Sequence, residues 1–132
     1  MIAVDTNVLL DILHETPNTE TSRKALRAAN KNGALIISEV VYAELSAAFS
    51  GDQKVINSFL SVAGIELERS HETALALAGK LFKAYRLRGG KRDRIAPDFM
   101  IGAHAIFHAK ALLTRDDGFY KSHFDGLVVI AP

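Results

Sequence analysis

Short apolar runs alternate with stretches of helical periodicity along this chain, and that alternation leaves few folds open. Residues 1–4 (Met1-Ile2-Ala3-Val4), 34–37, 111–114 and 127–130 are compact, mostly apolar runs of strand length. Between them apolar residues recur at three- and four-residue spacing: Val8, Leu9, Ile12 and Leu13, then Val41, Leu45, Ala48 and Phe49, then Leu75, Ala78, Phe82 and Tyr85. Continuous apolar runs suit strands buried on both faces, and the longer period suits helices packed over them. Stop signals at Lys31-Asn32-Gly33, Ser50-Gly51-Asp52 and Gly89-Gly90 separate the elements. Parallel neighbours need crossover connections, which these helices supply. The expected fold class is α/β: a three-layer α/β/α sandwich around a central parallel sheet of about five strands. The alternating Gly-Ile-Glu-Leu of 64–67 is expected at a sheet edge.

With 132 residues, no internal repeat and no low-complexity tract, the whole of 1–132 is expected to form one domain. The absence of cysteine excludes disulfides, a thiol nucleophile and thiolate zinc sites, and it suits a reducing compartment. No segment offers the roughly 20 apolar residues needed to cross a bilayer, and no basic stretch precedes an apolar one at the start. A cytoplasmic protein is expected. The formal charge is only +1, but its distribution is uneven. Lys83, Arg86, Arg88, Lys91, Arg92 and Arg94, diluted by Asp93, crowd one segment. These cations suit either a solvated helix end or a phosphate-binding patch.

Four acids stand where the expected elements would bring them to one edge. Asp5 follows the first strand, Asp116 follows the strand that ends near Thr114, Asp98 opens a helix behind Pro97, and Glu44 sits among the apolar residues of another helix. Ligand crevices of open α/β sheets lie at the carboxyl ends of the strands. Like charges gathered there raise one another's pKa or recruit a cation. An oxygen-only donor set favours a hard divalent ion such as Mg²⁺ or Mn²⁺, and phosphodiester hydrolysis by an activated water is the chemistry such a site performs. Each acid also has an ordinary reading. Asp5 can cap a helix, Asp98 can complement a helix dipole, Glu44 can reach solvent, and Asp116-Asp117-Gly118 can be a plain turn.

Four segments carry a family resemblance in order. They are Val4-Asp5-Thr6-Asn7-Val8-Leu9-Leu10, Ser38-Glu39-Val40-Val41-Tyr42-Ala43-Glu44-Leu45, Pro97-Asp98-Phe99-Met100-Ile101-Gly102-Ala103-His104-Ala105 and Leu113-Thr114-Arg115-Asp116-Asp117-Gly118-Phe119-Tyr120. Together they resemble the successive motifs of the PIN-domain family, specifically the VapC-type toxin ribonucleases, and 124–132 resembles the family's last strand. The resemblance implies a metal-dependent endoribonuclease in which Asp5, Glu44, Asp98 and Asp116 match the acidic positions. Asp5 and Asp98 would be the first metal ligands, joined by Asp116, with Glu44 and Asp116 also suited to orienting water or a second ion. Thr114 matches the small hydroxyl residue, with Thr6 and Asp117 expected close by. The resemblance also implies RNA as substrate, tRNA or ribosomal RNA among the candidates, a homodimeric state, and inhibition by a cognate antitoxin. Arg86, Arg88, Lys91, Arg92, Arg94 and Arg115 are the expected RNA contacts.

A non-catalytic RNA-binding module on the same fold is the main alternative. Receiver, haloacid-dehalogenase and dinucleotide-binding readings fit less well. The strand of 34–37 ends at Ser38-Glu39 without an aspartate, Asn7 stands where a second aspartate would be required, and no glycine fingerprint follows a strand. His104 and His108 share a helix face at zinc-binding spacing, but no third ligand is placed near them, so both are expected to be structural.

Overall fold

The computed structural model describes residues 1–91 and 96–132. Arg92 and Arg94 of the expected basic segment fall outside the described residues. The element order is β1 (Ile2–Val4), α1 (Thr6–Leu13), α2 (Thr19–Asn32), β2 (Leu35–Ile37), α3 (Glu39–Ala48), α4 (Gln53–Ala63), β3 (Ile65–Leu67), α5 (Glu72–Leu87), α6 (Ala96–His108), β4 (Ala111–Leu113), α7 (Asp117–His123) and β5 (Val129–Ile130). All pairings are parallel, in the order β3-β2-β1-β4-β5, with helices on both faces. The fold is the three-layer α/β/α sandwich expected from the sequence.

Burial explains the apolar runs. β1, β2 and β4 are buried at every position, whereas β3, at the sheet edge as expected, buries Ile65 and exposes Glu66 and, against its alternation, Leu67. Beneath the helices, Val8, Leu9, Val41, Leu45, Ile56, Phe99 and Ile101 fill the core with the strand residues.

The strand order positions the site. From β1 the chain crosses one way to β2 and β3, while β4 and β5 lie on β1's other side, so the connections diverge at the carboxyl ends of β1 and β4. There Val4 is in register with Leu113, and the Asp5 amide donates to the Leu113 carbonyl at 2.9 Å. Residues 5 and 114 are therefore neighbours across the switch point.

Local chemistry sets most boundaries. The Ser38 side chain accepts from the Val41 amide to start α3, Asp52 does the same for Val55 at α4, and Gly64 closes α4 at φ 70°. At α2, where the sequence offers Thr19 or Thr21 as a cap, neither caps the helix. Asn18 precedes the helix without a side-chain cap, and the Thr19 hydroxyl instead donates to the Asp11 carbonyl at 2.6 Å. The seven-residue helix α7 was not expected, because Asp116-Asp117-Gly118 has turn chemistry. It is held by packing, with Phe119 edge-on to Phe99 and Tyr120 against Phe124.

Candidate active site

Asp5 is the centre of the site. It directly follows buried β1 and caps α1, its Oδ1 accepting the Thr6 amide at 2.8 Å. Asp5 therefore caps the helix, as its ordinary reading has it. Its Oδ2 accepts the Thr114 hydroxyl at 2.7 Å and the Asn7 amide nitrogen at 3.3 Å. Only 5% of Asp5 is exposed. Burial pushes its carboxyl from 3.8 up to about 6, against the lowering effect of hydrogen bonds from Thr114, Thr6 and Tyr120, while the charge of Asp98 adds to the rise.

Around Asp5 the elements deliver the other acids. Asp98, in the first turn of α6, bears electrostatically on Asp5, and Asp98 and Asp116 both bear on the Tyr120 hydroxyl, which hydrogen-bonds to Asp5. Burial first, then the charges of Asp5 and Asp98, hold Tyr120 far above the usual phenol range, so it is a neutral donor at any physiological pH. Glu44 projects from α3, where its Oε1 accepts the Thr6 hydroxyl at 2.6 Å. Thr6 thus links Glu44 to the turn that carries Asp5. Thr114 does the same for Asp116, since its Oγ1 accepts the Asp116 amide at 3.0 Å while its hydroxyl donates to Asp5.

The doublet Asp116-Asp117 separates. Asp117 lies in the first turn of α7 and pairs with Lys121 at 3.2 Å, along the helix surface, whereas Asp116 faces Tyr120. Arg115, expected at the RNA, is instead turned inward to Asp11, Ser22, Thr21 and the Asn18 carbonyl. In the basic segment, Arg86 lies over the Phe82 ring and Arg88 reaches His123 Nδ1 at 3.4 Å. Tyr85 fastens the end of the described loop by donating to the Lys91 carbonyl at 3.1 Å. Tyr85, Phe99, Phe119 and His123 form an aromatic cluster joining α5, α6 and α7 behind the acids.

Three residues at or beside this edge had not been assigned from sequence. Tyr120 was obscured by the unexpected helix α7, although it stands one helical turn beyond Asp116. Asn7, two residues after Asp5, braces Asp5, Thr114 and the Arg115 amide together. Asp11 is a buried acid one turn further along α1. The histidines are structural, as expected. Buried His104 bonds to the Glu68 carbonyl at 2.7 Å and stacks on His108, whose Nε2 accepts the His71 amide. A cavity of about 540 Å³ lies apart from the acids, against β3, lined in part by Tyr42, Asn57, Leu60 and Arg69.

The donor set fits a hard divalent cation. Its groups are carboxylate and hydroxyl oxygens, and buried Asp5 has its ionised form disfavoured by its surroundings, which an adjacent cation would reverse. Among the described residues, no three acidic or histidine side chains already converge closely enough to grip an ion. A cation there would draw part of its coordination from water, which Mg²⁺ retains readily.

Electrostatically coupled Asp5, Asp98 and Asp116 at the switch point of a five-stranded parallel sheet mark the class of protein. A model of the PIN domain family matches residues 2–124, and the chain belongs to that family. Its fold is similar to that of VapBC2 from Rickettsia felis bound to a promoter DNA fragment, at 23% identity and TM-score 0.77, covering 99% of this chain and 98% of that one. VapBC-1 from nontypeable Haemophilus influenzae matches at 20% identity and TM-score 0.75, over 99% and 98% of the two chains. A toxin-antitoxin complex from Klebsiella pneumoniae matches at 19% identity and TM-score 0.67, over 97% and 96%. No curated protein matches at a significant level. Among the described residues no helix is long and apolar enough to cross a membrane.

Proposed function

We propose that residues 1–132 form a single ribonuclease domain, a Mg²⁺- or Mn²⁺-dependent endoribonuclease of VapC type acting as the toxin of a toxin-antitoxin pair. The observation that carries this reading is the buried Asp5 carboxylate at the switch point, its carboxyl raised by burial and by the charge of Asp98, with family membership behind it. Asp5 and Asp98, with Asp116, would hold the cation. When bound, it supplies Lewis-acid activation of water and of the scissile phosphate.

The chain's own residues supply position and charge. Thr114, Asn7 and Tyr120 direct three donors at Asp5, which fixes its orientation and favours its ionised form. Glu44, oriented by the Thr6 hydroxyl, is suited to accept a proton from an attacking water. Arg86, Arg88 and Lys91 would serve as phosphate contacts for RNA, giving affinity and salt dependence without base specificity.

The antitoxin partner is supported by the similarity to the VapBC and toxin-antitoxin complexes. Apolar surface suited to protein partners includes Val62, 90% exposed, beside a cleft lined by Ile12, Leu26 and Phe59. We propose a homodimer in the cytoplasm on the same family grounds. A non-catalytic RNA-binding module is the second reading, favoured by the absence of a ready-made cation cage among the described residues. Metal-dependent RNA fragments made by wild type and not by Asp98→Asn support the nuclease. RNA binding by both proteins without fragments supports the module.

A further inference from the structure

Arg115 stands beside Asp116, where a cation would ordinarily be taken as a phosphate contact. Its environment is that of a clasp. The guanidinium Nε bonds to Asp11 Oδ2, while one terminal nitrogen donates to Thr21 Oγ1 at 2.7 Å, Ser22 Oγ at 2.8 Å and the Asn18 carbonyl at 3.1 Å. Only 24% of its side chain is exposed. Asp11 and Ser22 are buried, and Asp11 also accepts from Ser22 at 2.7 Å and from Thr16 at 3.1 Å. Burial alone would raise the Asp11 carboxyl, but the bonds from Ser22, Arg115 and Thr16 outweigh it and hold Asp11 below its ordinary value. Asp11 is therefore the ionised counter-charge of Arg115, separate from the acidic edge.

On its inner side, the same residue's backbone amide donates to Asn7 Oδ1 at 3.1 Å, and Asn7 in turn braces Asp5 and Thr114. The three residues between β4 and α7, Thr114, Arg115 and Asp116, are thus gripped from both sides. Thr114 and Asp116, the loop's two groups at the acidic edge, flank the residue that is bonded on both sides. A largely buried, multiply bonded ion pair gains little net stability over apolar packing, so its value lies in fixing one geometry.

Resting on the nuclease reading above, we propose that Arg115 is a positioning residue: paired with Asp11 and anchored on α2, it fixes the β4–α7 loop so that Thr114 and Asp116 meet Asp5 in one arrangement. It acts through the loop and does not read RNA phosphates.

The test uses the full chain with Arg115→Met, Asp11→Asn, their double variant and the milder Arg115→Lys. Single-turnover cleavage of a tRNA and ribosomal RNA panel, metal-free affinity for a single-stranded oligoribonucleotide across salt, and amide hydrogen exchange are read together. The clasp predicts that Arg115→Met lowers the cleavage rate on the order of 100-fold, the scale of a small misplacement of reacting groups. RNA affinity and its salt slope stay at the wild-type values, and exchange at the 115 and 116 amides accelerates. Asp11→Asn, which leaves every surface cation in place, shows the same pattern. The double variant is no worse than the worse single, and Arg115→Lys recovers part of the rate. Weakened RNA binding with a salt slope smaller by about 0.7, the share of one single-strand phosphate, and unchanged loop exchange would overturn the proposal. If wild type cuts nothing, the nuclease reading falls, while loop exchange and the coupling of Asp11 to Arg115 in thermal unfolding still decide whether the clasp exists.

Discussion

Replacing Asp5 by Asn should stabilise the metal-free protein at neutral pH while abolishing its activity. In the folded state burial raises the Asp5 carboxyl from 3.8 to about 6. A carboxyl whose folded value lies above its unfolded value stabilises the fold when protonated. That contribution is complete below the unfolded value of 3.8 and is lost as pH rises through the folded value of about 6. At 1.36 kcal/mol per pH unit, the gap between the two values makes ionised Asp5 cost roughly 3 kcal/mol above pH 7. Asn removes that cost but presents one oxygen in place of two, so one of the bonds from Thr6 and Thr114 weakens, at about 1 kcal/mol. The net expectation is a gain of about 2 kcal/mol at pH 7.5, shrinking steadily toward pH 4. Urea unfolding of both proteins in chelator, across that range, measures the difference directly, because all other titrating groups are common to the pair. Mg²⁺ should reverse the order by stabilising wild type alone. A variant less stable than wild type at pH 7.5 in chelator, or a difference that does not vary with pH, would refute the electrostatic argument.

Thr114→Val removes the hydroxyl that donates to Asp5 and accepts the Asp116 amide. It should cost about 1–3 kcal/mol in urea unfolding and raise the Asp5 carboxyl further, moving the acid limb of the cleavage profile to higher pH. At Gly102 an added Cβ would lie 2.4 Å from the buried Phe124 ring, so Gly102→Ala should lower stability by about 1–3 kcal/mol, seen as an earlier denaturation midpoint. Removing the charges of Arg86 and Arg88 together should weaken RNA binding and flatten its salt dependence by about 0.7 for each phosphate no longer neutralised, with the single-turnover rate at saturating protein unchanged.

The strand runs and helical periods carried nearly all of the architecture, because a strand buried on both faces and a helix with an apolar stripe each leave a pattern that needs no distant partner to recognise. Ser38 and Asp52 marked their helix starts for equally local reasons, whereas Gly64, read as the first residue of a strand, closes α4. What stayed hidden depends on contacts between distant segments. Helix α7 forms because Phe119 and Tyr120 find Phe99 and Phe124, and Gly118 gave no local hint of it. With that helix unseen, Tyr120 could not be placed beside Asp5. The inward turn of Arg115 likewise depends on Asp11 and Ser22, about a hundred residues earlier, so its sequence position next to Asp116 suggested an outward role instead. The positions of Asp5, Asp98 and Asp116 were legible because each follows or opens an element whose direction the pattern had already set, whereas Glu44 lies inside α3. Their mutual geometry rests on Thr6, Asn7 and Thr114, whose hydrogen bonds no spacing rule specifies.

Cleavage of a mixed tRNA and ribosomal RNA panel by wild type and Asp98→Asn, with Mg²⁺ or Mn²⁺ and then with chelator, decides between a nuclease and a binding module. The proposed site predicts discrete fragments from wild type with metal, none with chelator, and none from a folded Asp98→Asn under either condition. Fragments from both proteins, or from neither while both remain folded and bind RNA, would contradict it.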